Sequence, residues 1–453
     1  MDEKAIEARF RAGILRPTDK REVRIAVNAF SLAAVRGYPG LIEDMLTVSK
    51  RRVRDPLNLF RLQMSMMNEI LALESATGEH KRELESEETA NRLTEEERLG
   101  RETEIYFNKL VTKAIRSVGD GMVWRLLGHD RAAYYLLAQG HGPAAVATSG
   151  LPAEVRRLAH TVAQDEGIPL LSSLTNCVRF GDLIVFKEQE DGGLQTTLEE
   201  VKSREDRTPR FTRQRKRLGE VITLLEEREG RIGELEVNID TRNVAQESYL
   251  PAVLNLIQET LNRGAAGRMF DNYLRVECFA IHAPGAERDS NWLARESLAD
   301  MEPWSRGGDF VSEGCNLELK QMTRNCAPYS VFPYPDRIRA ALLTNQVGVR
   351  SYLNISEVFR RFSAAGWKVE TDIRTGMVEA LRDGKDPRDV PFARLRKGRC
   401  TVALPPSVAT RLLFEYLKPR TVVRELELIA QFPREEEKRP SLSYYPGEMQ
   451  IWD

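Results

Sequence analysis

The stretch "GDLIVFKEQEDGGLQTTLEEVKSREDRTPRFTRQRKRLGEV" (181–221) decides how this chain reads. A solid apolar run, Leu183 to Phe186, follows Asp182. The turn signal "EDGG" (190–193) separates it from a second run, which ends in Glu199-Glu200-Val201-Lys202. Side chains of a strand alternate between its faces, so Glu200 and Lys202 share one face and Glu199 and Val201 the other. Pairing of the two runs through the turn brings Asp182 and Glu200 to one sheet edge. Two carboxylates at one point repel unless a cation joins them. Mg2+ (or Mn2+) suits that arrangement: it takes oxygen ligands, keeps several waters and uses one or two carboxylates plus phosphate oxygens of a substrate. A lysine beside it steers the attacking water and offsets charge on the phosphate. These residue types fit metal-assisted phosphodiester hydrolysis.

The segment that follows is basic. Arg204, Arg207, Arg210, Arg213, Arg215, Lys216 and Arg217 fall within 204–217, opposed only by Glu205 and Asp206. Such density suits phosphate contacts, which give affinity and register without sequence specificity. A helix is expected over about 211–229. On it Gln214 and Arg217 are three apart and share a face.

Acid-x-Lys spacing alone is weak in a chain that is 30% charged, and it recurs at Glu79/Lys81, Glu318/Lys320, Asp383/Lys385 and Glu436/Lys438. Only Glu318/Lys320 also has a preceding acid, Asp309, and apolar neighbours, but it lacks the continuous apolar strand and the basic helix. The plain structural alternative makes Glu200 and Lys202 an exposed cross-strand ion pair, worth little, and Asp182 a turn residue.

Asp182, then Glu200-Val201-Lys202 on the next strand, then a helix with Gln214 and Arg217, resembles the PD-(D/E)XK nuclease superfamily over roughly residues 150–245. The resemblance implies an α/β fold, a restriction-endonuclease-like mixed sheet flanked by helices. It implies a magnesium-dependent cut, with Asp182 and Glu200 as metal ligands and Lys202 and Gln214 beside them. It also implies DNA as the substrate, with RNA left open. Gly181 stands where the family name has proline. Many members carry a further acid on the helix before the first strand; Glu154 matches best and Asp120 less well. By analogy with proteins that couple such a core to large flanks, a role in anti-phage defence is expected, as a homodimer or as a partner subunit of a defence complex. The rival from another class is a nucleic-acid-binding scaffold whose core no longer cuts.

Working outward, 453 residues exceed one ordinary core. A helical N-terminal region (1–140), the nuclease-like core (141–285) and an α+β C-terminal extension (286–453) are expected. "NLFRLQMSMMNEILALE" (57–73) has helical apolar spacing, 80–110 reads as a solvated helix or connector, and "GDGMVWRLLGHDRAAYYLLA" (119–138) reads as a core helix opening after Gly-Asp. "YLRVECFAIHA" (273–283) reads as a strand. "TRNCAPYSVFPYPDRIR" (323–339), mixing aromatic residues with arginines, is expected to be a Pro-rich surface loop, second in line for nucleic acid. The tryptophans read as core residues, and His129 and His160 as polar residues on helices. Formal net charge is −1, so nucleic-acid binding must come from a local patch. Five scattered cysteines form no CxxC pair, which argues against a zinc ribbon or disulfide framework and for reduced thiols in the cytoplasm. No apolar run reaches the length of a membrane span, and the charged start lacks a signal-peptide core. GxxxxGK[ST], HExxH and GxSxG motifs are absent, which disfavours an ATP-driven motor, a zincin and a serine hydrolase.

Overall fold

The computed structural model describes residues 20–51, 55–86, 92–137, 153–178, 182–188, 194–199, 229–232, 235–239, 246–280, 311–315, 327–372, 392–405, 407–431 and 441–444, with isolated positions at 216–227 and 299–304. Among them the N-terminal region is helical: α1 (Lys20–Val35), α2 (Tyr38–Arg51), α3 (Pro56–Glu85), α4 (Glu95–Leu126) and α5 (Arg131–Leu137). α3 starts where sequence chemistry says it should. Asp55 accepts the Asn58 N–H and Pro56 fills the first turn, where its missing N–H costs nothing. Leu59, Phe60, Met66, Met67, Ile70 and Leu73 form its buried stripe.

The described residues of 80–110, expected as a solvated helix or a connector, belong mostly to two helices. α3 runs on to Glu85, and α4 begins with a capping box in which Thr94 accepts from the Glu97 N–H and Glu97 accepts from the Thr94 N–H.

Strands follow. α6 (Ala153–Gln164) leads into β1 (Ile168–Leu171), β2 (Leu183–Glu188) and β3 (Leu194–Glu199), an antiparallel sheet in the order β1-β2-β3. β4 (Glu229–Ile232) and β5 (Leu235–Ile239) are antiparallel, and β13 (Ser441–Tyr444) lies parallel to β5. α7 (Leu250–Arg263) stops at Gly264, whose φ of 92° only glycine adopts freely. β6 (Ala265–Phe270), β7 (Leu274–Ala280), β8 (Val311–Cys315) and β9 (Val347–Asn354) form an antiparallel sheet ordered β6-β7-β9-β8, with strands from both sides of residue 285. α8 (Asp336–Leu343) precedes β9 and α9 (Ile355–Ala364) follows it. β10 (Lys368–Asp372), β11 (Ala393–Lys397) and β12 (Cys400–Leu404) make a third antiparallel sheet, followed by α10 (Ser407–Phe414) and α11 (Pro419–Gln431). The class is thus helices with small, mostly antiparallel sheets. One apolar cluster runs from Ala29 in α1 to Leu426 in α11, and Trp124, Trp304 and Trp367 are buried as expected.

Two expectations are corrected. No helix opens at Gly119-Asp120: α4 passes straight through to Leu126. The glycine is there for close approach, since a Cβ on Gly119 would lie 2.1 Å from the Leu174 carbonyl oxygen. The second correction concerns 323–339. Its described part, from Ala327, is core. Tyr329, Val331, Phe332 and Tyr334 are buried, with edge-to-face contacts from Tyr329 to Phe332 and from Phe332 to Tyr334. Arg339 enters with them, beside Arg125 of α4, because both find acceptors. Arg339 and Arg125 both donate to the Ser330 carbonyl, at 2.7 and 3.0 Å, and Arg339 also pairs with Asp336. Burial pushes Arg125 down to about 10. The aromatic area gained offsets the cost of burying cations whose hydrogen bonds are only partly met, since Arg125 Nη1 and Arg339 Nε are buried without a partner.

A buried ion network ties the two ends of the chain together. Arg131 in α5 makes a two-pronged bond to Glu415 at 2.7 Å in each arm, and Glu415 also accepts the Ala327 N–H at 2.8 Å. Arg411 in α10 bridges Glu415 to Glu425 in α11.

Candidate active site at the end of the first sheet

Asp182 stands half-buried at the head of β2. The four residues after it, Leu183 to Phe186, are all buried, so the strand is covered on both faces and gives Asp182 a fixed base. The register pairs Leu171 with Leu183 and Leu183 with Glu199. Asp182 stays bonded to both neighbouring strands but leaves the regular β2–β3 register by one residue. Its N–H donates to the Glu199 carbonyl at 2.9 Å, and its carbonyl accepts from the Ser172 N–H at 3.1 Å. The end of β1, the start of β2 and the end of β3 therefore meet at one end of the sheet. β3 is the exposed side: Leu198 is buried while Gln195, Thr197 and Glu199 face solvent.

Two helices of the N-terminal region hold this sheet end. β1 is an edge strand, and its free backbone groups are met by one side chain. Gln63 in α3 donates to the Pro169 carbonyl at 2.7 Å and accepts the Leu171 N–H at 2.8 Å, standing in for a neighbouring strand. α4 grips the connection from β1 to β2. Arg116 donates to the Ser173 carbonyl at 3.1 Å and pairs with Glu74 at 3.0 Å. Asp120 is buried inside the helix. Its Oδ1 accepts the N–H groups of Asn176 and Cys177 at 2.7 and 2.9 Å, and its Oδ2 accepts the Asn176 side-chain amide at 2.9 Å. Burial raises the Asp120 carboxyl above its ordinary range, against the pull of those donors. Burial likewise brings Lys113, a helix turn away from Arg116, down to about 8, partly opposed by Asp120.

The expected site residues fall into three groups. Asp182 is at the strand end as expected. Glu154 is in the exposed first turn of α6, with no hydrogen bond or ion pair among the described residues. Asp120, its weaker competitor, is committed to the loop amides, and this clamp is what reading the sequence missed. Glu200, Lys202, Gln214, Arg204, Arg207, Arg210, Arg213, Arg215 and Arg217 lie outside the described residues, as do Asp309, Glu318 and Lys320. Of the basic segment only Lys216 is described; it is exposed, with Glu220 4.0 Å away. Among the described residues no three His, Cys, Asp or Glu side chains are grouped to hold a metal. Of the two expected metal ligands, Asp182 is described and Glu200, the residue that follows Glu199, is not.

The histidines move away from the site. His129 is in the turn after α4, at φ 64°, and its pKa is lowered by burial and by Arg125. His160 is on the exposed face of α6 with its ring 5.5 Å from Phe60. No helix among the described residues is by itself long and apolar enough to cross a membrane. No protein-family model matches the chain, and neither a curated protein nor a solved structure does.

Proposed function

We propose that the chain is a metal-dependent nuclease with a PD-(D/E)XK-type core, hydrolysing phosphodiester bonds of DNA, in keeping with a role in anti-phage defence. The observation that carries this reading is the backbone bond from Asp182 to Glu199, which brings the strand to within one residue of Glu200 at the sheet end where Asp182 stands. The reading requires β3 to continue two or three residues past Glu199. Glu200 then falls at the same sheet end as Asp182, and Lys202 falls on its face two residues on. α6 supports a place for Glu154. It turns back through Glu166, at φ 62°, and Gly167 to pack on β1, the strand it feeds. Twelve helical residues span about 18 Å and the four residues of β1 about 13 Å, so the first turn of α6 lies a few ångström beyond the end of β1, on the side where Asp182 stands.

In this reading Asp182 and Glu200 hold Mg2+ or Mn2+, which when bound neutralises a phosphate oxygen and lowers the pKa of a water. Lys202 stabilises negative charge on the phosphate as the water attacks, and Gln214 orients groups from the following helix. Arg204, Arg207, Arg210, Arg213, Lys216 and Arg217 hold the backbone of the nucleic acid. The clamp of Asp120, Arg116 and Gln63 fixes the frame on which Asp182 is carried.

The test is cleavage. The purified protein cuts DNA with Mg2+ or Mn2+ and stops with EDTA. Asp182→Ala and Glu200→Ala each lower the rate about a hundredfold or more, the scale of losing one preorganised electrostatic group, while the fold survives. Parallel assays on RNA decide the substrate. Wild-type protein that cuts neither nucleic acid, or a variant lacking Asp182, Glu200 and Lys202 that still cuts, defeats the proposal; the first result favours the scaffold.

A further inference from the structure

The sheet β10-β11-β12 has two unlike faces. Its inner face carries Leu395, Ala393 and Leu404 into the core. Lys397 turns the same way and is committed there, donating to Glu427 at 2.7 Å and to the Ala365 carbonyl at 3.1 Å. The outer face carries Lys368 on β10 and Arg394 and Arg396 on β11, all exposed. Arg399 is exposed in the two-residue turn that joins β11 to β12.

Register makes this face unusual. Lys368 is paired directly with Arg396, and Arg394 is two residues along the same strand. Like charges directly opposite across an antiparallel pair are destabilising. Among the described residues the acid at salt-bridge distance is Glu370, 3.6 Å from Arg396. Among the described residues Lys368, Arg394 and Arg399 have no carboxylate within salt-bridge distance. Protection of a sheet edge does not account for the pattern, because lysines that blunt edges belong on edge strands and two of these arginines are on the central one. β12 presents only Thr401 and Ala403 outward, so the cations rise beside a low shelf that a polymer backbone can approach.

We infer that this outer face is a docking surface for a nucleic-acid backbone, reading phosphates and not bases. Charge complementarity chooses the occupant: a row of exposed cations, of which only Arg396 has a carboxylate partner among the described residues, and with no aromatic or large apolar side chain beside them, fits a regular polyanion. The inference goes beyond the cleavage proposal and assigns the C-terminal extension a share of substrate binding.

Binding is read on the full chain in EDTA, so that no cutting is needed, by fluorescence anisotropy of a labelled DNA duplex over a salt series. Lys368→Ala/Arg394→Ala/Arg396→Ala weakens binding at least tenfold on every sequence and lowers the slope of log affinity against log salt by about three units, roughly 0.9 for each phosphate no longer neutralised. Arg394→Gln and Arg396→Gln, each at an exposed position, give about one slope unit apiece and keep the test valid if the triple variant does not fold. Unchanged affinity and slope in folded variants overturn the inference. So does wild-type protein that binds phosphatidylserine vesicles but not DNA, which gives the face to a lipid surface. A chain that never cuts but whose variants bind DNA more weakly defeats the cleavage proposal alone; one that cuts while the variants bind normally defeats this inference alone.

Discussion

Replacing Asp120 tests whether α4 holds the connection to Asp182. In Asp120→Ala three hydrogen bonds to one carboxylate disappear, those from the Asn176 N–H, the Cys177 N–H and the Asn176 amide. Cys177 is fully buried, so water cannot replace the missing partner. A buried donor left unsatisfied costs about 1–3 kcal/mol. With one such donor fully buried and the Asn176 pair half-buried, the loss is about 3–5 kcal/mol, a large part of the stability of an ordinary domain. Asp120→Asn keeps an oxygen for the two backbone amides, and the Asn176 amide can rotate to accept, so about 1 kcal/mol is expected. Urea denaturation measures both, and hydrogen exchange at Asn176 and Cys177 locates the effect. The carboxyl also gives a pH signature. Its folded pKa is raised, so its contribution is fully present below the unfolded value of about 3.9 and is lost as pH rises through the folded value. The advantage of wild type over Asp120→Asn therefore shrinks as pH rises above about 4. An alanine variant within about 0.5 kcal/mol of wild type, or an asparagine variant as damaged as the alanine one, refutes the clamp.

Other consequences are as direct. Gly119→Ala drives a methyl into the Leu174 carbonyl, 2.1 Å from the new Cβ, and lowers stability by about 1–3 kcal/mol, read from the shift in urea midpoint. Glu415→Ala leaves Arg131 and Arg411 buried without their shared carboxylate and costs about 3–5 kcal/mol by the same assay. Cys177 is buried with its thiol pKa raised well above the ordinary value, whereas Cys400 is half-buried with a smaller rise. A thiol reagent at pH 8 therefore modifies Cys400 first and Cys177 only on unfolding, with mass spectrometry of the digested protein as the readout.

What could be read from the sequence was local. The three-and-four spacing of 57–73 became the buried stripe of α3. The apolar run after Asp182 became a strand covered on both faces, which is why Asp182 could be placed at a strand head. Where tertiary contact overrode local preference, the reading failed. Gly119 and Asp120 have the chemistry of a helix start, yet α4 continues through them because the β1–β2 connection needs close approach and a carboxylate. The amides that Asp120 serves are 56 and 57 positions away, beyond any periodicity. Prolines and arginines made 323–339 look like surface, but the rings of its described part are core and Arg339 finds carbonyl and carboxylate partners. Small residues hid β6, "AAGRMF", although the left-handed Asp271 and Asn272 after it mark a hairpin turn. The capping box of Thr94 and Glu97 was legible and marks the true start of α4.

The central claim is that Asp182 and Glu200 share a metal. Anomalous scattering from a crystal soaked in Mn2+ tests it most directly. The account predicts a peak about 2.0–2.2 Å from an oxygen of each carboxylate, with the two carboxylates about 3–6 Å apart when the metal is removed and the Asp182→Ala crystal lacking the peak. A Glu200 side chain directed away from Asp182, or manganese bound only at other residues, contradicts it.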